Sequence, residues 1–208
     1  MKIEAKQINE WVKKAYDNAV KHGWHEEKKS KAHWLMMICT EVAEAVQADR
    51  KGRYMNDLDK EGLKTVLAND HEGGLFGKYY LDTIEGKVES ELADICIRVF
   101  DLMGVYNIEA KYGFSTFDHE VKYIKQHSFT ENAIMLTKTI VSCNITTSIS
   151  VKEGTFFDLY LSILATVFEW AEALGIDLIQ HINLKMRYNE SREYRHGISC
   201  IKEFYGYE

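Results

Sequence analysis

The stretch Glu91-Leu92-Ala93-Asp94-Ile95-Cys96-Ile97-Arg98-Val99-Phe100-Asp101-Leu102-Met103 decides how this chain folds. Wound as a helix, it is apolar over most of its circumference. Its polar strip is narrow and carries Glu91, Asp94, Arg98 and Asp101. A helix that is apolar nearly all round is buried, so other helices must surround it and the strip must face a polar pocket or an ion. Glu91 and Asp94 stand three residues apart, which puts both carboxylates on one face, nearly one above the other.

A second stretch, Trp34 to Ala48, repeats the arrangement with Glu41-Val42-Ala43-Glu44. Projected at about 100° per residue, Glu41 falls among Trp34, Met37, Ala45 and Ala48, and Glu44 lies at the edge of that arc. Solvated glutamates would sit opposite the apolar stripe. Two such faces turned toward each other would gather four negative charges. At an effective dielectric of ~20 and ~5 Å separation, each pair repels by about 3 kcal/mol. Protons or cations must neutralise such a cluster, and an all-carboxylate set suits a hard divalent cation, Mg²⁺ above all, with Mn²⁺ as a substitute. A lone Glu-x-x-Glu reads more simply as a solvated pair on an amphipathic helix. A buried salt bridge to Arg98 is another alternative, but it engages one or two acids and leaves the others unpaired.

The remaining chain reads as helical too. Its 208 residues are 46% hydrophobic and 28% charged, with no proline to break a helix. That length buries about 70% of the unfolded surface in one core. Helices are expected over Ile3–Lys21, ended by His22-Gly23-Trp24, and from Ser30 to Arg50, closed by Gly52. The Asp-, Gly- and Lys-rich run from Arg53 to Gly77 holds at most one short helix, near Lys60–Asn69. A third main helix is expected from Asp82 to Val105, and Asn107–His127 is polar. An apolar helix then opens at Thr130 with Glu131 in its first turn. Helix and strand compete over Ile140–Val151, where Thr and Ile are frequent. After Lys152-Glu153-Gly154, Thr155 can cap a helix to Leu174, and Asp177 beyond Gly175 can cap the last one, to about Tyr194. The expectation is all-α: one domain over 1–208, a bundle of six or seven helices, with an inserted loop at 53–81 and an unassigned helical segment at 107–159.

The net charge of −6 and the lack of a basic tail argue against binding a nucleic-acid polymer. There is no leader-like N-terminus and no 18-residue apolar span, so no membrane partner is expected. Cys39, Cys96, Cys143 and Cys200 form no Cys-x-x-Cys pair, and Cys39 and Cys96 read as buried free thiols, fitting a reducing cytoplasm.

The final helix carries His181, Lys185, Asn189 and Arg192 on one face. Lys supplies a compact charge and Arg a planar fork for phosphate oxygens. Asn suits a sugar hydroxyl or a base edge. The alternative is a solvated basic face favoured by the helix dipole. Trp24 reads either as a core residue or as a ring that stacks on a nucleobase. Glu169 and Glu172 share the acidic spacing but lack a partner pair, and read as surface or salt-bridge groups.

These residues together resemble the MazG-like all-α nucleoside triphosphate pyrophosphohydrolases. The resemblance lies in Glu-x-x-Glu followed by Glu-x-x-Asp, in Gly23-Trp24-His25, in Glu44-Ala45 with Asp49-Arg50-Lys51-Gly52, in Ile97-Arg98, and in the tail His181-Ile182-Asn183-Leu184-Lys185-Met186-Arg187-Tyr188-Asn189 with Arg192 and His196-Gly197. It implies that Glu41, Glu44, Glu91 and Asp94 bind Mg²⁺, that Lys185, Asn189 and Arg192 contact substrate, and that a nucleotide is cut between its α- and β-phosphates to a monophosphate and pyrophosphate. It also implies a homodimer or homotetramer. Glu41 or Glu44 would position or deprotonate the attacking water. The 46 residues between Glu44 and Glu91 exceed the shortest family members, and Glu193 and Ile198-Ser199 stand where the family branch has proline and a basic pair. Two other classes stay open: a di-metal carboxylate bundle, for which the chain offers one Glu-x-x-His, Glu193 to His196, and a non-catalytic helical interaction protein.

Overall fold

A computed structural model describes residues 1–70, 74–145 and 154–194. The protein is an all-α bundle. The helices are α1 (Ala5–Lys21), α2 (Lys31–Arg50), α3 (Asp57–Asn69), α4 (Gly74–Tyr79), α5 (Val88–Val105), α6 (Asp118–Lys125), α7 (Phe129–Ile145), α8 (Gly154–Leu174) and α9 (Leu178–Glu190). Helix α4 runs on through a π-helical turn, Tyr80–Ile84. Two short strands, β1 (Lys2–Ile3) and β2 (Phe114–Ser115), pair antiparallel and tie the N-terminus to the loop before α6.

The helix that is apolar all round takes the centre. Helix α5 packs against α1, α2, α8 and α9, and Leu92, Ala93, Ile95, Cys96, Val99 and Phe100 are fully buried. Trp11 of α1 stacks on Phe100 with ring centroids 5.4 Å apart. Full burial of side chains of this size contributes roughly 1.5–3 kcal/mol each, which commits the neighbouring helices to surround α5.

Local signals set most boundaries. Ser30 caps α2 by accepting the His33 N–H at 3.2 Å, and Asp177 caps α9 by accepting the Gln180 N–H at 3.1 Å. Between α8 and α9, Gly175 adopts φ +73°, a left-handed conformation that costs glycine little. The chain bends by 111° there, folding α9 back against α5.

Other boundaries differ from expectation. Helix α5 starts at Val88, not Asp82, because the π-helical turn and the turn at Gly86 intervene. The run 53–81 is not a loop with one short helix. It forms α3 and α4, which join α9 in a small second core of Met55, Leu63, Phe76, Tyr80, Ile84, Leu184 and Tyr188. The polar stretch 107–127 contains β2 and α6. Helix α7 begins one residue before Thr130, where Ser128 and Glu131 form a reciprocal cap, a Ser-x-x-Glu signal that the sequence carries openly. Helix α8 begins at Gly154, ahead of Thr155, and α9 ends at Glu190 rather than near Tyr194. The helices among the described residues therefore exceed the six or seven expected. Residues 146–153 of the ambiguous stretch and its break, Cys200, His196-Gly197 and Ile198-Ser199 lie outside the described residues. Among the described residues, no single helix is long and apolar enough to cross a membrane.

Gly104, near the end of α5, marks a close approach to α1. A Cβ there would lie 2.5 Å from the Cβ of Tyr16, backbone-anchored and unable to swing aside. Gly104→Ala should destabilise the protein by about 1–3 kcal/mol through overpacking, although alanine favours an isolated helix. Urea denaturation measures this, and an unchanged or raised midpoint would refute the close packing of α1 on α5.

Candidate active site

The polar strip of α5 opens onto a cleft of about 330 Å³ that Glu91, Asp94, Arg98 and Asp101 all line. Helix α2 contributes Glu41 and Glu44, α9 and the residues after it contribute Lys185, Asn189, Arg192 and Glu193, and the loop after α1 contributes His22 and Trp24. The residues read from sequence as metal or substrate ligands, Glu41, Glu44, Glu91, Asp94, Lys185, Asn189, Arg192 and Trp24, all line this one cleft.

Three of the four acids converge. Carboxylate oxygens of Glu41, Glu91 and Asp94 lie within 4.8 Å of one another. Glu41 and Glu91 are buried, Glu41 on the apolar arc of α2 and Glu91 on the polar strip of α5. Glu44 is the exception to the expected four-acid cluster. At the edge of the α2 stripe it stays exposed, lining the cleft outside the group of three. It makes no hydrogen bond or ion pair among the described residues, whereas Glu41 accepts from Arg98 Nε at 2.9 Å.

Lys185 differs from the expected open phosphate contact. Its side chain is 3% exposed, and Nζ lies 2.7 Å from Asp94 and 2.6 Å from Glu85. The rings of Tyr80 and Tyr188 each stand 5.7 Å from Nζ. Lys185 is thus an internal counter-ion for the acids. Glu85, which sequence reading missed, enters the cleft because the turn before α5 carries it toward Lys185. Its only signal in the sequence is an acid near Gly86, and that is a common pattern.

The remaining groups line the cleft less tightly. Arg192 lies over the Tyr188 ring, 5.6 Å from its centroid, and Nη1 donates to Asn189 Oδ1 at 3.5 Å. The carbonyl of Arg192 accepts from His22 Nε2 at 2.9 Å, so the end of α1 holds the end of α9. Trp24 is 40% exposed and is not a core residue. His25, read only as part of a motif, bonds Asp101 from Nε2 at 2.7 Å between the rings of Tyr16 and Trp34. His181 leaves the expected face: it is buried and lines a different cavity. Glu169 and Glu172 are structural, accepting from the Phe117 N–H and the Thr116 hydroxyl. Glu193 lines the cleft, but His196, its partner in the di-metal alternative, lies outside the described residues.

Charge does not balance in this space. The lining includes seven acids, Glu41, Glu44, Glu85, Glu91, Asp94, Asp101 and Glu193, against Arg98, Lys185 and Arg192. Burial, reinforced by Asp94 and the α2 acids against the pull of Lys185, pushes Glu91 up to about 8. Burial, opposed by Lys185 and aided by Glu41, pushes Asp94 up to about 6. Lys185 stays above the usual ammonium range, because Asp94, Tyr80 and Glu85 outweigh its burial. The donor set at the centre is all oxygen and short of positive charge, which fits a hard divalent cation held by Glu41, Glu91 and Asp94.

No family model, no curated protein and no solved structure matches this chain.

Glu91 binds protons more tightly folded than unfolded. Between 4.5 and about 8 the native state therefore holds more protons than the unfolded state, and stability falls as pH rises through that window. The penalty is absent below 4.5 and complete above about 8. Metal-free thermal melts across this range should show a falling Tm that Glu91→Gln flattens. Added Mg²⁺ should raise Tm most at the alkaline end. A Glu91→Gln profile identical to that of the unaltered protein would contradict the assignment.

Proposed function

We propose that this chain is a Mg²⁺-dependent nucleotide pyrophosphohydrolase, which cuts a nucleoside or deoxynucleoside triphosphate between its α- and β-phosphates. The observation that carries the reading is the approach of carboxylate oxygens from Glu41, Glu91 and Asp94 to within 4.8 Å, in a cleft that Asn189, Arg192 and Trp24 also line. A polyphosphate cannot enter so acidic a space without cations. Bound Mg²⁺ would neutralise phosphate oxygens and make a coordinated water a better nucleophile.

The chain's own residues supply the rest. Glu44, exposed in the cleft and outside the three-acid group, orients the attacking water and accepts its proton. The water oxygen bonds to phosphorus as the bridging P–O bond breaks, leaving a monophosphate and pyrophosphate. Arg192 presents a planar fork to the departing pyrophosphate oxygens. Asn189 beside it meets a sugar hydroxyl, and Trp24 offers a face on which a base can stack. Lys185 acts through Asp94 and Glu85, holding them in place, rather than through the substrate. No serine or cysteine nucleophile is required. The proposal extends to a homodimer or homotetramer, since Leu58, Leu75 and Leu81 leave apolar side chains uncovered.

A panel of nucleoside and deoxynucleoside triphosphates with Mg²⁺, resolved by chromatography, should yield pyrophosphate from at least one member. Glu44→Gln should lower kcat about 10²–10⁴-fold, and Asp94→Asn should abolish turnover, with the far-ultraviolet helical signal of both unchanged. Release of orthophosphate, or full activity in both variants, would overturn the reading. Arg192→Ala should weaken turnover by a further route, mainly through KM, and respond to the length of the phosphate chain offered.

A further inference from the structure

The ends of α1 and α9 meet at the acidic cleft, and one buried side chain ties them together. His22 follows the last residue of α1, is 6% exposed and lines the cleft. Both of its ring nitrogens face backbone carbonyls. Nδ1 lies 2.8 Å from the oxygen of Asn18, in the last turn of α1, and Nε2 lies 2.9 Å from the oxygen of Arg192, just beyond α9. The first contact fixes the ring on its own helix. The second holds the backbone of a residue whose side chain lines the same cleft.

The same two segments meet at three further points. Lys14 Nζ lies 3.0 Å from Glu190. The Tyr194 hydroxyl donates to Glu26. The Tyr194 ring covers Gly23, where a Cβ would lie 2.5 Å from it. These ties carry weight because α9 ends at Glu190, and chain at a helix end frays unless something holds it. Past that end, the Arg192 N–H still reaches the Asn189 carbonyl, at 3.3 Å. A guanidinium displaced by about 1 Å from the phosphate oxygens it serves can cost about 10²-fold in rate.

We propose that His22 is a positioning residue for Arg192. It ties the segment after α9 to the end of α1, and so fixes where the guanidinium meets phosphate oxygens. His22 acts through Arg192 rather than on the substrate, because both of its ring nitrogens are already engaged. This inference rests on the role proposed above for Arg192.

Two substitutions separate the contacts of the ring. The amide nitrogen of Gln reaches about as far as Nε2, and that of Asn only about as far as Nδ1, so His22→Gln keeps a donor to Arg192 and His22→Asn loses it. The test is calorimetric titration of the full chain with inorganic pyrophosphate in Mg²⁺, beside deuterium exchange of residues 188–194. His22→Asn should speed that exchange and weaken pyrophosphate binding about tenfold, with the thermal melt still cooperative. His22→Gln should leave both as in the unaltered protein. In an Arg192→Ala background His22→Asn should cost no further affinity, because the side chain it positions is gone. Further loss in that background, or equal effects of Asn and Gln, would overturn the proposal. Pyrophosphate binding with unchanged exchange in His22→Asn overturns the clamp and leaves the reading of the cleft intact. No pyrophosphate binding by the unaltered protein, with exchange responding as stated, overturns the role of Arg192 and the positioning role with it.

Discussion

A buried helix that carries acids it cannot neutralise by itself is the constraint on which this structure depends. Helix α5 is enclosed by α1, α2, α8 and α9, yet Glu89, Glu91 and Asp101 on it are buried. Removing a carboxylate from water is costly unless it gains a counter-charge or hydrogen bonds. The bundle supplies partners from several directions: Lys185 to Asp94, His25 to Asp101, and the Met55 N–H to Glu89. Arg98, from α5 itself, reaches across to Glu41 on α2. Helix packing and charge compensation are therefore one problem, solved by the same residues.

The compensation is incomplete at the acidic cleft. Where Glu41, Glu91 and Asp94 meet, Arg98 and Lys185 do not offset the acids, and Glu91 holds its proton to about 8. A fold assembled only for stability would place apolar groups there. Retaining the acids beside a cleft lined by Arg192, Asn189 and Trp24 is what supports the proposed role in holding cations and an anionic ligand.

Helices α3 and α4 give the site its less obvious parts. Their small core clamps Tyr80 and Tyr188, with rings stacked 4.6 Å apart. Those rings lie against Lys185, and the turn that follows brings Glu85 to its ammonium. The same segment forms one wall of a second cavity, with Lys60, Leu63, Lys64 and Leu67. What reads as surplus length between the two acidic motifs thus shapes both concave regions.

Much of this was legible from residue pattern. The apolar circumference of Glu91–Met103 dictated a central helix, and the three-residue spacing of Glu91 and Asp94 dictated that they share a face. Ser30, Asp177 and Gly175 announced helix ends, because capping and left-handed turns depend on a few adjacent residues. The placement of Glu41 on an apolar arc announced that α2 turns an acid inward. Local pattern did not reveal that Glu44 stays outside the three-acid group, that Lys185 is enclosed by Asp94 and Glu85, or that His181 departs from the face it nominally shares with Lys185 and lines a separate cavity. Those outcomes rest on contacts between residues up to 100 positions apart, and on how far each helix is rotated and bent when packed. Periodicity tells which side of a helix a residue occupies; only the neighbouring helices decide what that side meets.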